Sequence, residues 1–145
     1  LSVEPRLRLA VVACMDSRLA VFPTLGLRAG EAHVLRNAGG VITDDVIRSL
    51  AISQRRLGTR EIILIQHTDC GMAKLTDDGF REELQEATGM APSFAIESFT
   101  DVEANVRQSI ARLRSSPFLP HRDRIRGFVY DVDTGRLSEV DPGPS

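Results

Sequence analysis

Cys14-Met15-Asp16-Ser17-Arg18 closes one short apolar run of the chain, and His67-Thr68-Asp69-Cys70-Gly71 closes another. Cys14 and Cys70 are its only cysteines. Two thiolates and one imidazole make a Cys2His donor set, which suits zinc and leaves one position of a tetrahedral ion unfilled. Asp16 and Arg18 follow directly behind the first cysteine. Asp16 can accept a hydrogen bond from a zinc-held hydroxide and aim its lone pair. Arg18 can clamp Asp16 through two parallel hydrogen bonds and keep it off the metal. The chemistry expected of these residues is that of a catalytic zinc, and so of an enzyme.

The same residues allow other arrangements. Zinc with two thiolates and a neutral histidine has little net charge, so it acidifies water less than a tri-histidine site does. If Asp16 itself is the fourth ligand, the site is closed and serves as a structural clip for a non-catalytic module. Unrelated buried thiols, or a disulfide in a secreted protein, are further readings. His33 and His121 have no second candidate ligand beside them and are expected to be structural or solvated. Asp69, between two candidate ligands, is expected to point away into a local turn or cap contact.

These side chains need a scaffold that brings distant segments together. Residues 7–13 and 62–65 read as strands covered on both faces, and 32–36 as a shorter strand before a turn at 37–40. Thr43 is placed to cap a helix with Asp44 and Asp45 in its first turn. Val46, Ile47, Leu50, Ala51 and Leu57 form its stripe, and Gly58 its stop. A polar helix is expected over 80–88, then a loop with room for a short helix over 91–99. Thr100 to Glu103 matches a capping box, opening an amphipathic helix through Val102, Val106, Ile110 and Leu113 that ends before Pro117 and Pro120. Residues 126–132 and 137–140 read as strands around a turn. This alternation predicts an α/β fold, with a mostly parallel central sheet flanked by helices and an antiparallel C-terminal edge strand. Such sheets collect ligands beyond the C-terminal strand ends, where Cys14 and His67 both fall.

Composition bounds the partners. The 145 residues are expected to form one domain, with 26% charged residues and a net charge of −2. No basic run points to nucleic acid or an anionic membrane, and the arginines over 107–126 alternate with acidic and apolar residues. No leader-like pattern or apolar stretch of about 18 residues is present, so the expected location is cytoplasmic. Phe94, Ile96 and Phe99 are expected to line a pocket or an interface between copies.

The motifs together resemble the β-class carbonic anhydrases. That family carries C-x-D-x-R, R-N-A-G, H-x-x-C-G and a late strand and turn. Here these are Cys14/Asp16/Arg18, Arg36-Asn37-Ala38-Gly39, His67/Cys70/Gly71, and Gly127 to Asp131 with Thr134-Gly135. The resemblance implies one zinc ion per chain on Cys14, His67 and Cys70, and an Asp16–Arg18 gating dyad. Asp16 would join the metal in a closed state only. It implies reversible hydration of carbon dioxide to bicarbonate and a proton, with zinc hydroxide as nucleophile, in a homodimer or tetramer. The Gly71 amide is a candidate donor to a substrate oxygen. Gly40 and Met72 depart from the pattern in the pocket lining, and the same fold also serves carbon disulfide hydrolysis.

Overall fold

The computed structural model describes residues 3–144. In chain order the elements are β1 (Leu9–Cys14), α1 (Val21–Leu25), β2 (Ala32–Asn37), α2 (Asp44–Leu57), β3 (Glu61–His67), α3 (Asp77–Thr88), α4 (Val102–Arg114), β4 (Ile125–Tyr130) and β5 (Leu137–Val140). Single 3-10 turns follow β2 at Ala38–Gly40 and β3 at Gly71–Lys74. The five strands form one sheet in the order β2-β1-β3-β4-β5. The first four are mutually parallel, and β5 closes the edge antiparallel to β4. The mixed α/β architecture expected from the sequence is the one found.

Every residue of β1 is buried, as befits a central parallel strand with both faces covered. Ala10, Val12, Ile62 and Leu64 pack against Val46 and Leu50 of α2 and Val106 and Ile110 of α4. On the opposite face Val11, Ala13 and Ile65 meet Leu19, Val21 and Met72. Each such valine, leucine or isoleucine contributes about 1.5–3 kcal/mol, as an upper estimate. Gly127 lets α4 settle closely on β4, because a Cβ there would collide with Val106 and press on Ile110.

Local signals set most boundaries. The Thr43 hydroxyl accepts from the Val46 amide at 3.3 Å to start α2, and Gly58 ends it at φ +80°. Strand β3 is longer than the Ile62–Ile65 core that marks it in the sequence, and β4 begins at Ile125 and stops at Tyr130 rather than Val132. Helix α3 starts at Asp77, earlier than residue 80, because Thr76 caps it through the Gly79 amide. The cap of α4 is Asp101, which accepts from Ala104 N at 3.1 Å, and not Thr100. Asp101 is the residue with extended φ and ψ, so the Thr100–Glu103 spacing falls one position out of register with the helix. Residues 91–99 form a connection without a helix, with Glu97 in the left-handed region at φ +62°. Helix α1 carries no sequence signal, since five residues are too few to show a period. Among the described residues, no helix is long and apolar enough to cross a membrane.

The β4–β5 edge carries a pH-dependent tie. Arg126 donates to both Glu139 oxygens, Nε to Oε2 at 2.9 Å and Nη2 to Oε1 at 2.7 Å. This guanidinium holds the Glu139 carboxyl below its ordinary value of 4.5. A depressed carboxyl stabilises the fold above its unfolded pKa and ceases to do so as pH falls through the folded one. Both side chains are about half exposed, so the contribution is about 0.5 kcal/mol. Glu139→Gln should therefore cost that amount near pH 7 in denaturant unfolding and nothing in strong acid. An equal cost at both pH values would rule the ion pair out as its source.

Candidate metal centre

Strands β1 and β3 are parallel neighbours, paired from Leu9↔Glu61 to Ala13↔Ile65. Their C-terminal residues, Cys14 and His67, therefore emerge at the same edge of the sheet. The turn after β3 returns Cys70 to that edge. The ligand atoms of Cys14, His67 and Cys70 lie within 4.8 Å of one another, and all three residues are buried.

The imidazole is oriented by its other nitrogen. His67 Nδ1–H donates to the Thr68 carbonyl at 2.7 Å. A carbonyl only accepts, so Nδ1 carries the proton and Nε2 presents a lone pair. That Nε2 is buried without a hydrogen-bond partner, an arrangement that costs about 1–3 kcal/mol unless something satisfies it. Proximity to the Cys14 sulfur raises the His67 imidazole above its ordinary range, though no hydrogen bond of ordinary geometry reaches Nε2. The nearness of the two sulfurs lowers the Cys14 thiol below its ordinary range, while the same nearness, with burial, raises that of Cys70. Both are donors that bind a cation as thiolates, so metal binding would release their protons. An orphaned imidazole nitrogen and two inward sulfurs fit a tetrahedral zinc ion with three protein ligands.

Asp16 stands at the rim of this cluster, its Oδ2 3.7 Å from His67 Nε2. Arg18 holds it there. Arg18 Nε donates to Oδ1 at 3.1 Å, Nη2 to Oδ2 at 2.7 Å, and the Arg18 amide to Oδ1 at 2.8 Å. These bonds, the Arg18 side chain foremost, push the Asp16 carboxyl far below the usual carboxylate range.

Asp69 stays outside the donor cluster, as expected, but its main contact is not the local turn or cap that its sequence position suggests. Its Oδ2 accepts from Arg18 Nη1 at 3.0 Å and its carbonyl from Nη2 at 2.9 Å. A guanidinium has five N–H donors and Asp16 engages only two of them. That surplus of donors is the signal in the sequence that calls for a second acceptor.

The segment that carries the dyad is tied down by Arg36, whose structural part its type alone does not announce. Arg36 Nε donates to Cys14 O at 2.9 Å, and Nη2 to Asp16 O and Leu19 O, both at 2.8 Å. Asn37 closes the following turn by exchanging side-chain bonds with both backbone groups of Val41. Gly40 then lies directly against the Cys14 backbone.

A cavity of about 570 Å³ opens in front of the cluster. Cys14, Asp16, Cys70 and Gly71 form its floor, and Met72, Leu75, Phe80, Phe94 and Ile96 are among its walls. Phe99 packs behind Gly39 rather than into the opening. Such walls favour a small non-polar guest over an ionic one. His33 bonds to Ser53 Oγ at 2.7 Å, and His121 is joined to Gln54 through its backbone. Both lie outside the cluster.

Known proteins are similar to this chain in sequence and fold. A family profile described as carbonic anhydrase matches residues 9–137. Beta-carbonic anhydrase 1 of Mycobacterium tuberculosis is 56% identical over 142 residues, covering 98% of this chain and 87% of that protein. A carbon disulfide hydrolase of Acidithiobacillus thiooxidans is 39% identical over 150 residues, covering 90% of this chain and 75% of its own length. The crystal structure of a carbonic anhydrase from Streptococcus mutans superposes with a TM-score of 0.91 at 51% identity, covering 97% of this chain and 86% of that one. With profile, relatives and fold in agreement, the chain belongs to the β-class carbonic anhydrase family of enzymes.

Proposed function

We propose that this enzyme binds one zinc ion per chain through Cys14, His67 and Cys70, and hydrates carbon dioxide reversibly to bicarbonate and a proton. The observation that supports this most is the placement of Asp16. It is clamped by Arg18 outside the donor cluster, beside an unpartnered His67 Nε2 and at the floor of an apolar cavity. When bound, zinc supplies the positive charge that makes water nucleophilic near neutral pH.

The chain's own residues do the rest. Asp16 accepts a hydrogen bond from the attacking water oxygen and turns its lone pair toward the carbon of the substrate. Arg18 keeps the carboxylate ionised and turned away from the donor cluster; only in a closed state would Asp16 itself serve as a ligand to the ion. The apolar walls admit carbon dioxide and reduce the competing hydration around it. The Gly71 amide donates to a substrate oxygen. Oxygen from water forms the new C–O bond, bicarbonate leaves through the cavity mouth, and the proton passes to solvent.

Phe94 and Met90, 59% and 73% exposed, offer apolar surface for a second copy, which supports a homodimer. The working compartment in this reading is the cytoplasm. A second reading, hydrolysis of carbon disulfide at the same site, is favoured by the relative from A. thiooxidans and by the apolar cavity.

Stopped-flow carbon dioxide hydration, on protein assayed for zinc, tests the proposal. The expected result is zinc near one per chain with turnover well above the buffer rate. Zinc without carbon dioxide turnover, followed by sulfide release from carbon disulfide, would transfer the assignment to the second reading. Protein that retains zinc and turns over neither compound would overturn both.

A further inference from the structure

We propose that Asp69 is a positioning residue for the Asp16–Arg18 dyad, holding the guanidinium from behind so that its other edge stays on Asp16. This rests on the role given to that dyad above. The Arg18 side chain is 45% exposed, and an ion pair at that exposure is weak and mobile when it stands alone. Arg18 does not stand alone. Its Nε and Nη2 engage Asp16, while Nη1 and Nη2 reach the Asp69 carboxylate and carbonyl at 3.0 and 2.9 Å.

Two bonds on each edge fix the guanidinium plane, and they come from the two loops that carry the metal donors. Arg18 is thereby a cross-link between the Cys14 loop and the His67–Cys70 turn. Asp69 reaches this position with its backbone in the left-handed region at φ +52°, a conformation that costs most non-glycine residues free energy and that aspartate tolerates better. Lys74 Nζ stands 3.4 Å from the other Asp69 oxygen. It neutralises part of the charge, so Asp69 anchors Arg18 without drawing it off Asp16. Without Asp69, Arg18 is free to swing into solvent, and Asp16 is free to turn toward the metal position and close the site.

The test compares Asp69→Ala and Asp69→Asn with the parent protein by two readouts. One is the kcat and KM of carbon dioxide hydration. The other is azide affinity of the cobalt(II)-loaded protein, followed by its visible spectrum, which reports whether the fourth position is open to an anion. Asp69→Ala is expected to lower kcat and weaken azide binding, each about fivefold, with KM unchanged and metal content retained. Asp69→Asn keeps an acceptor for Nη1 and should recover most of both. Parent-like kcat and azide affinity in Asp69→Ala would overturn the proposal. So would equal loss of metal from both variants, which would mean that Asp69 only shapes the ligand turn. If the parent hydrates no carbon dioxide, the functional proposal fails, and the azide comparison still decides the part played by Asp69.

Discussion

Asp16→Asn is expected to lower carbon dioxide turnover by about 10²- to 10⁴-fold, the range of a lost proton acceptor at the reacting atom. Zinc content should stay near one per chain. The amide keeps the shape of the carboxylate and loses its charge, so it neither accepts as strongly nor pairs with Arg18 through both oxygens. Arg18→Ala acts one step further away. It leaves Asp16 ionised but unclamped, and a loss of about 10- to 100-fold is expected, as for other groups that orient a metal site from outside its ligands. These variants also separate the enzyme from a non-catalytic zinc clip. A clip with Asp16 as permanent fourth ligand would lose metal or stability in Asp16→Asn, and its parent would hydrate no carbon dioxide. Full turnover in Arg18→Ala would overturn the gating account.

Gly40→Ala is expected to destabilise the protein by about 2–5 kcal/mol and to impair metal retention. Two independent causes add. Gly40 has φ +63°, where an L side chain costs about 1–2 kcal/mol. A Cβ there would also lie 2.8 Å from Cys14 N, 3.0 Å from Ala13 C and 3.2 Å from Ile65 O. All three are backbone atoms of β1 and β3, which cannot rotate aside, and such overpacking costs about 1–3 kcal/mol. The strand that would have to move carries Cys14, so zinc affinity should fall together with stability. Gly71→Ala is the control. It adjoins a candidate ligand too, yet its Cβ would meet nothing within 4 Å, and folding should be nearly unaffected. Denaturant unfolding with parallel zinc assays checks both. Equal stability of the two variants would refute the close-approach argument.

Much of this site was legible in the sequence because its donors sit where regular elements end. The apolar run before Cys14 and Ile62–Ile65 before His67 mark buried strands, and parallel neighbours must deliver their last residues to one edge. The pairing of Asp16 with Arg18 followed from their short separation and complementary shapes. The contact made by Asp69 was missed for an instructive reason. Its contact with Arg18 joins residues from different loops, and no periodicity or local spacing encodes a partner so distant in the chain. The cap of α4 was misplaced by one residue because Thr100 and Asp101 are both good caps, and the choice lies in the backbone angles.

The sequence by itself determined the α/β alternation, the three inward donors and the acid–base pair beside them, since these depend on residue type, hydrophobic period and short spacing. Tertiary structure alone decided that Asp16 lies outside the donor cluster, that Arg18 bridges two loops, that Arg36 fastens three carbonyls, and that Gly40 meets the backbone of β1. Each of these is a spatial relation between segments far apart in the chain. Its existence depends on packing distances set by the whole sheet, which local patterns do not carry.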